Sequence, residues 1–432
     1  MAENKGGISR RTVLKGAAAA AGAAAGSSLV TGFPMVWAQN IKDVTITHIG
    51  SIYTTNDVVK AQANKDLGFK IEMQTLDDTT AINRMLTQPK SLDVADFGGT
   101  DMGYFRGRDV LMAIPVKEYK WWDQTVPLFT KGTYDTGKPY SMQGFAPIKS
   151  QYWTNADAKD YTTTPTDWIT GIPVMYNADT LGVRPDLVKA PVRSWKELLN
   201  SDYKGKVALQ DGVGVGVPDA AMALEAAGEM TYVDKGNMTR DEIDKTIAKL
   251  IDIKKSGQFR SFWTNFDQSV QLMASGEVVL QSMFAPAVTE VRTRGIPCVF
   301  QAMDEGARGW YISQMAMKHL DSGDKLRRDC VMEYMNWCNS GFNGAYFSRQ
   351  GFYSPVLENV KKFLTPDEYG YWYDGKPSQG DIVDPFGKVM EHKGAVRDGG
   401  ALWDRLGKIA IWNTLMDENK YLIKKWNEFI SA

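Results

Sequence analysis

The sequence predicts an α/β protein built as two lobes, with a ligand cleft between them. Three observations predict it. Strand-like and helix-like runs alternate after residue 40. The length, 432 residues, exceeds what one core usually needs. The composition, 43% apolar and 23% charged, is that of a globular chain.

The elements follow in order. Residues 44–49 alternate apolar and polar side chains and predict a first strand. A helix is expected over 57–67, closed by Gly68, then a strand over 70–74 and a helix over 79–86. Residues 93–97 read as a third strand, ending in Gly98-Gly99-Thr100 at the start of a helix. These are two β-α-β steps, the opening of a doubly wound lobe. Ser194-Trp195-Lys196-Glu197 reads as a capping box, with Leu198 and Leu199 behind it. A strand is expected at 207–210 and a helix over 218–227, with proline in its first turn. Thr239-Arg240-Asp241-Glu242 is another capping box, opening a helix with Ile243, Ile247, Leu250 and Ile251 on one face. A helix over 268–274 stops at Ser275-Gly276, and 277–281 reads as a strand. No internal repeat is visible.

Residues 1–39 read as an address. Ser9-Arg10-Arg11-Thr12-Val13-Leu14-Lys15 has the form of a twin-arginine export signal. A weakly apolar Ala/Gly stretch follows, then Val36-Trp37-Ala38 as a cleavage site, with the mature chain starting near Gln39. Ser27, Ser28, Thr31, Pro34 and interspersed glycines dilute the stretch as a membrane span. The expected location is the periplasm. Without the leader the net charge becomes −4, against −1 for the whole chain. That balance argues against a nucleic-acid partner. Cys330 and Cys338 fall eight residues apart on one predicted helix, about 12 Å along it, too far for a disulfide, so buried free thiols are expected. Cys298 could pair only through a tertiary contact.

Four segments carry a resemblance. Gly171-Ile172-Pro173-Val174-Met175-Tyr176-Asn177 precedes Ser194 to Leu199 and Tyr203-Lys204-Gly205-Lys206-Val207. Leu272-Met273-Ala274-Ser275-Gly276-Glu277-Val278 comes later. In that order they resemble the periplasmic solute-binding proteins of ABC importers, of the spermidine/putrescine-binding type. The resemblance implies a two-lobed periplasmic binding protein fold, type II-like. It implies a first lobe from 40–171 and 310–358, a second lobe from 172–309, and crossing strands near 171–175 and 310–316. Residues 359–432 are expected to be helical, with no lobe assigned. The lobes would close on a small organic solute and present it to an inner-membrane permease, with no cofactor, no metal and no catalysis, as a monomer. A polyamine or another amine is one candidate solute.

The resemblance also places pocket residues. Asp211 matches the first of three acids that hold ammonium groups in the polyamine branch. Gly214 and Ser313 stand where the other two belong. Phe284, Trp310, Tyr311 and Tyr353, the last beside Phe352, match aromatic walls. From the residues themselves, Thr100 and Asp101 end a strand where open sheets bind ligands, and Tyr53 and Thr54 are placed alike. Gly212-Val213-Gly214-Val215-Gly216-Val217-Pro218 lacks a following Lys-Ser/Thr, so it is no nucleotide loop. It reads as a flexible turn running into a helix start, or as a place where a carboxylate or other polar group of the solute docks. Asp101 and Asp211 suit a monocation, and Arg308 and Arg349 suit an anion; the residues leave both open. Two alternatives stand beside the receptor: a ferric-ion or other metal carrier on the same fold, and an exported enzyme. His48, His319 and His392 are isolated and fit no nucleophile motif.

Overall fold

The computed structural model describes residues 41–432. The twin-arginine leader and its cleavage site lie outside them. β1 (Thr45–Gly50), α1 (Asp57–Leu67), β2 (Lys70–Thr75), α2 (Asp78–Thr87) and β3 (Val94–Gly98) form within a residue or so of their expected bounds. β1 lies parallel to both β2 and β3. Asn56 caps α1 by accepting the Val59 N–H, and Gly68 ends it at φ 73°. The helix expected after β3 is only a 3-10 turn, Met102–Tyr104.

The centre of the molecule is β4 (Ile172–Val183), twelve residues long and buried along its whole length. Beyond it come β5 (Val207–Gln210), α3 (Gly216–Ala226), α4 (Arg240–Lys255), β6 (Phe259–Trp263), α5 (Phe266–Ser275), β7 (Leu280–Met283) and α6 (Ala285–Thr293). The chain returns as β8 (Ala307–Ala316), antiparallel to β4. The sheet runs β6-β5-β7-β4-β8-β3-β1-β2. It is one continuous sheet running through both halves of the molecule. The reason is reach: β8 pairs with β3 through Ile312–Ala316, while the far end of β4 pairs with β7.

Two large apolar clusters flank this sheet. One gathers Ile46, Val94, Met175 and Tyr334, beneath α1 and α7 (Lys325–Cys338). The other gathers Trp195, Leu209, Leu224 and Ile247. The Thr239 capping box forms in both directions, and Ile243, Ile247 and Leu250 of α4 are buried. The Ser194 box does not form. Ser194 Oγ accepts from Lys196 N but donates to Glu305, brought from a distant segment, and only a 3-10 helix, Trp195–Leu199, follows. Cys298, Cys330 and Cys338 are buried free thiols.

Two regions depart from expectation. Short strands Ile114–Pro115, Tyr152–Trp153, Tyr161–Thr162 and Trp168–Ile169 make a small separate sheet, in a stretch without sequence signals. The C-terminal segment is not purely helical. β9 (Ile409–Trp412) pairs in parallel with β8, and α8 (Asn419–Ser431) packs on α4. No helix among the described residues is long and apolar enough to cross a membrane.

Candidate functional site

β1, β3, β5 and β7 end around one crevice, the position where an open α/β sheet presents loops and helix starts to a ligand. The cavity there measures about 480 Å³. Ser51 and Tyr53 follow β1, Gly98 to Asp101 follow β3, Gln210 and Gly212 to Val215 follow β5, and Phe284 follows β7. Met175 of β4 and Trp310, Tyr311 and Ile312 of β8 form the wall between the two halves of the sheet, and Asn413, Thr414 and Leu415 close another side.

Glycine is required where the backbones crowd. A Cβ on Gly98 would meet the Tyr311 carbonyl at 2.7 Å, and one on Gly216 would meet the Gln210 carbonyl at 2.0 Å. The first lets β3 run against β8. The second lets the chain turn from β5 into α3.

The lining has one sign of charge. Asp78, Asp96 and Asp101 face the cavity; among the described residues lining it there is no Lys, Arg or His. Burial pushes the Asp101 carboxyl up to about 7, with the Asp78 charge adding to it and the Thr100 hydroxyl, 3.1 Å away, opposing it. Asp78 keeps solvent contact at the mouth, yet enough protein surrounds it that its carboxyl is also raised, by burial first and Asp77 second. Asp96 Oδ2 lies 2.8 Å from His48 Nε2, and His48 Nδ1 shares a 2.7 Å hydrogen bond with the Tyr334 hydroxyl. Asp96 Oδ1 is buried with no hydrogen-bond partner among the described residues.

Aromatic rings supply the remaining walls. Phe352 meets Tyr53 edge-on at 5.4 Å and Trp310 at 5.7 Å. The Trp310 indole N–H donates to Asp179 Oδ2 at 2.6 Å. Asp179 also accepts the Ala285 N–H at 3.0 Å and lies 3.9 Å from the buried Arg308 guanidinium. Arg308 Nε in turn donates to Asp219 at 2.7 Å. Trp310 is thus fixed from behind by a buried ion network. Arg308, a candidate for an anionic solute, is committed to that network; Arg349 is paired with Glu368.

Tyr53, Thr100, Asp101, Phe284, Trp310 and Tyr311 line the cavity. Thr54, Asp211, Ser313 and Tyr353 do not. The Thr54 N–H and hydroxyl are turned back on the Ser51 carbonyl. Asp211 accepts the Trp426 indole N–H at 2.8 Å, on the far side of its strand end. Ser313 lies deeper along β8, opposite Phe97. Tyr353 is fully buried under Arg397, and its neighbour Phe352 faces the cavity instead. Successive residues of extended chain face opposite ways, so a one-residue error swaps a wall for a core.

Sequence reasoning missed Asp96, Asp78, Tyr104, Phe266 and Asn413. Asp96 carried a signal, a charge within an otherwise apolar strand. Of the adjacent acids Asp77 and Asp78, Asp77 caps α2 by accepting Thr80 N while Asp78 faces the crevice. Asn413 comes from the segment that had no lobe. Tyr371 and Tyr373 are buried around the end of a helix, Pro366–Trp372, with the Tyr373 hydroxyl on Ser348. Among the described residues no group of three His, Cys, Asp or Glu side chains is placed to hold a metal ion.

The profile of a family described as bacterial extracellular solute-binding protein matches residues 59–372. Many solved structures are similar, three of them as follows. The spermidine/putrescine ABC transporter substrate-binding protein PotD of Streptococcus pneumoniae superposes with a TM-score of 0.58 at 11% identity, covering 89% of this chain and 99% of its own. A GABA receptor gives 0.57 at 17% identity, with 89% and 97% covered. An ABC transporter substrate-binding protein from Bradyrhizobium japonicum gives 0.57 at 15% identity, with 90% and 99% covered. At these identities the likeness is one of fold. A search of curated proteins finds no match.

Proposed function

The chain belongs to the bacterial extracellular solute-binding proteins, and on that footing we propose that it is the receptor of an ABC importer whose solute is an organic amine cation. One observation carries the reading: Asp78 and Asp101 face a cavity with aromatic walls and no basic side chain in its lining, and Asp96 lines it with its carboxylate on His48. An ammonium there gains carboxylate partners. Each ring face adds about 0.5–2 kcal/mol when the cation is desolvated. A dicarboxylate would meet only like charge, and a buried ion without a partner costs several kcal/mol. The acids differ from those of the polyamine pattern: Gly214 and Ser313 supply none, and all three carboxylates come from the β1–β3 side. That favours a solute with one cationic head. The neighbours named for spermidine/putrescine and for GABA support an amine.

A zwitterion is the second reading. Gly212 to Val215 line the cavity and lead into the start of α3, where helix N–H groups favour a carboxylate. An ω-amino acid would span from Asp101 to that turn.

The proposal extends to delivery. Residues 40–171 with 310–358, and 172–309, serve as two lobes that close about β4 and β8. The C-terminal segment straddles them, since β9 joins β8 and α8 packs on α4. The leader directs export by the twin-arginine route, and the closed monomer docks on an inner-membrane permease. A thermal-shift screen of the mature protein tests the reading. Quaternary ammonium compounds, monoamines and ω-amino acids should raise the midpoint, since ligand at 100 times its Kd adds about 2.7 kcal/mol. A rise with dicarboxylates alone would refute it.

A further inference from the structure

Behind the wall that carries Phe352 lies a second cavity of about 20 Å³. Arg292, Arg397 and Arg405 converge on it, with Asp398 beside them. Arg292 is paired with Glu391 and, at 2.6 Å, with Asp398. Asp398 also accepts the Phe300 N–H at 3.0 Å.

The other two guanidiniums have no carboxylate partner among the described residues. Arg397 is buried, donates to the Trp372 carbonyl at 2.8 Å and the Gly351 carbonyl at 2.5 Å, and lies over the rings of Tyr353 and Trp372 at 4.3 and 4.7 Å. Arg405 is buried over the Phe300 ring at 4.8 Å, with Nη1 on the Asp398 carbonyl. Its Nε and Nη2 have no hydrogen-bond partner among the described residues. Burial, with the like charge of Arg405 a lesser cause, lowers the Arg397 guanidinium to about 10. Arg292, Arg397 and Arg405 against Glu391 and Asp398 leave one positive charge among these groups, with the buried Asp179 carboxylate of the neighbouring Arg308 network also acting on Arg405.

We propose that this cavity binds one small monovalent inorganic anion, of chloride size, between Arg397 and Arg405. The chemistry fits in three ways. One negative charge neutralises the cluster. Arg405, which lines the cavity, carries two buried N–H groups without a hydrogen-bond partner among the described residues, and leaving them unpaired is costly. The volume, about 20 Å³, suits one solvent-sized sphere such as a halide. The anion would also brace the solute site. Arg397 holds the Gly351 carbonyl, which accepts from Asn177 of β4 at 3.1 Å as well, and the next residue, Phe352, is a wall of the main cavity.

The test needs no knowledge of the solute. Thermal unfolding is followed in chloride and in gluconate at equal ionic strength, for the natural chain and for Arg405→Met. Crystals of the natural chain are soaked in bromide. The site predicts a midpoint about 2–4 °C higher in chloride, saturating with concentration and lost in Arg405→Met. It also predicts a bromide anomalous peak between the two guanidiniums. Equal midpoints in the two salts for the natural chain, or soaked crystals without that peak, would overturn it and leave the cavity to water.

Discussion

Asp101 concentrates the chemistry of the site. Its carboxyl sits at about 7 in the folded protein, against an ordinary 3.8. The folded state therefore keeps a proton, between about pH 4 and 7, that the unfolded chain has released. Ionisation of Asp101 costs stability as the pH rises through that window, and the cost is complete above it. A bound cation needs the ionised form. Amine affinity should rise with pH up to about 7, close to tenfold per unit below that, and then level. Asp101→Asn should bind at least tenfold more weakly at pH 8 and flatten this profile; calorimetry across pH checks both. Trp310→Ala should weaken binding while the chain still folds, since Asp179 keeps the Ala285 N–H and Arg308. A melting curve beside a binding isotherm separates the two effects. At this scale the sequence was legible only in part. The motifs at 100–101 and 310–311 mark the cavity, but which of Phe352 and Tyr353, or of Gln210 and Asp211, faces inward is decided by strand parity and by partners such as Trp426.

At the scale of elements, caps and close approaches set the frame of the cleft. The Thr239 box closes reciprocally, so Thr239→Ala should cost about 1 kcal/mol in a denaturant titration. Gly216→Ala should cost about 1–3 kcal/mol, because its Cβ meets the Gln210 carbonyl at 2.0 Å and the β5–α3 turn must shift. Solute affinity should fall with it, since that turn lines the cavity. Elements with strong local signals were legible: α1 ends at Gly68 as its glycine required, and α4 shows the buried stripe its periodicity announced. The Ser194 box was misleading, because the same Ser-x-x-Glu spelling met a stronger partner in Glu305. The two-residue strands between β3 and β4 were illegible, being too short for a period and defined only by their pairing.

At the scale of the molecule, β4 and β8 make the two halves one sheet and place the crevice at their crossing. Alternation of strands and helices announced the class of fold. It could not show that the last segment returns to the centre, because β9 is a strand only through its pairing with β8. If the halves close on a cation, the radius of gyration in solution should fall when a bound amine is added and stay unchanged in Asp101→Asn. The most direct check on the whole picture is isothermal titration of the mature chain at pH 8 with a quaternary ammonium compound, an ω-amino acid and a dicarboxylate. Saturable one-to-one binding of an amine-bearing ligand, and none of the dicarboxylate, is the expected result. Tight binding of the dicarboxylate, with neither amine taken, would contradict it.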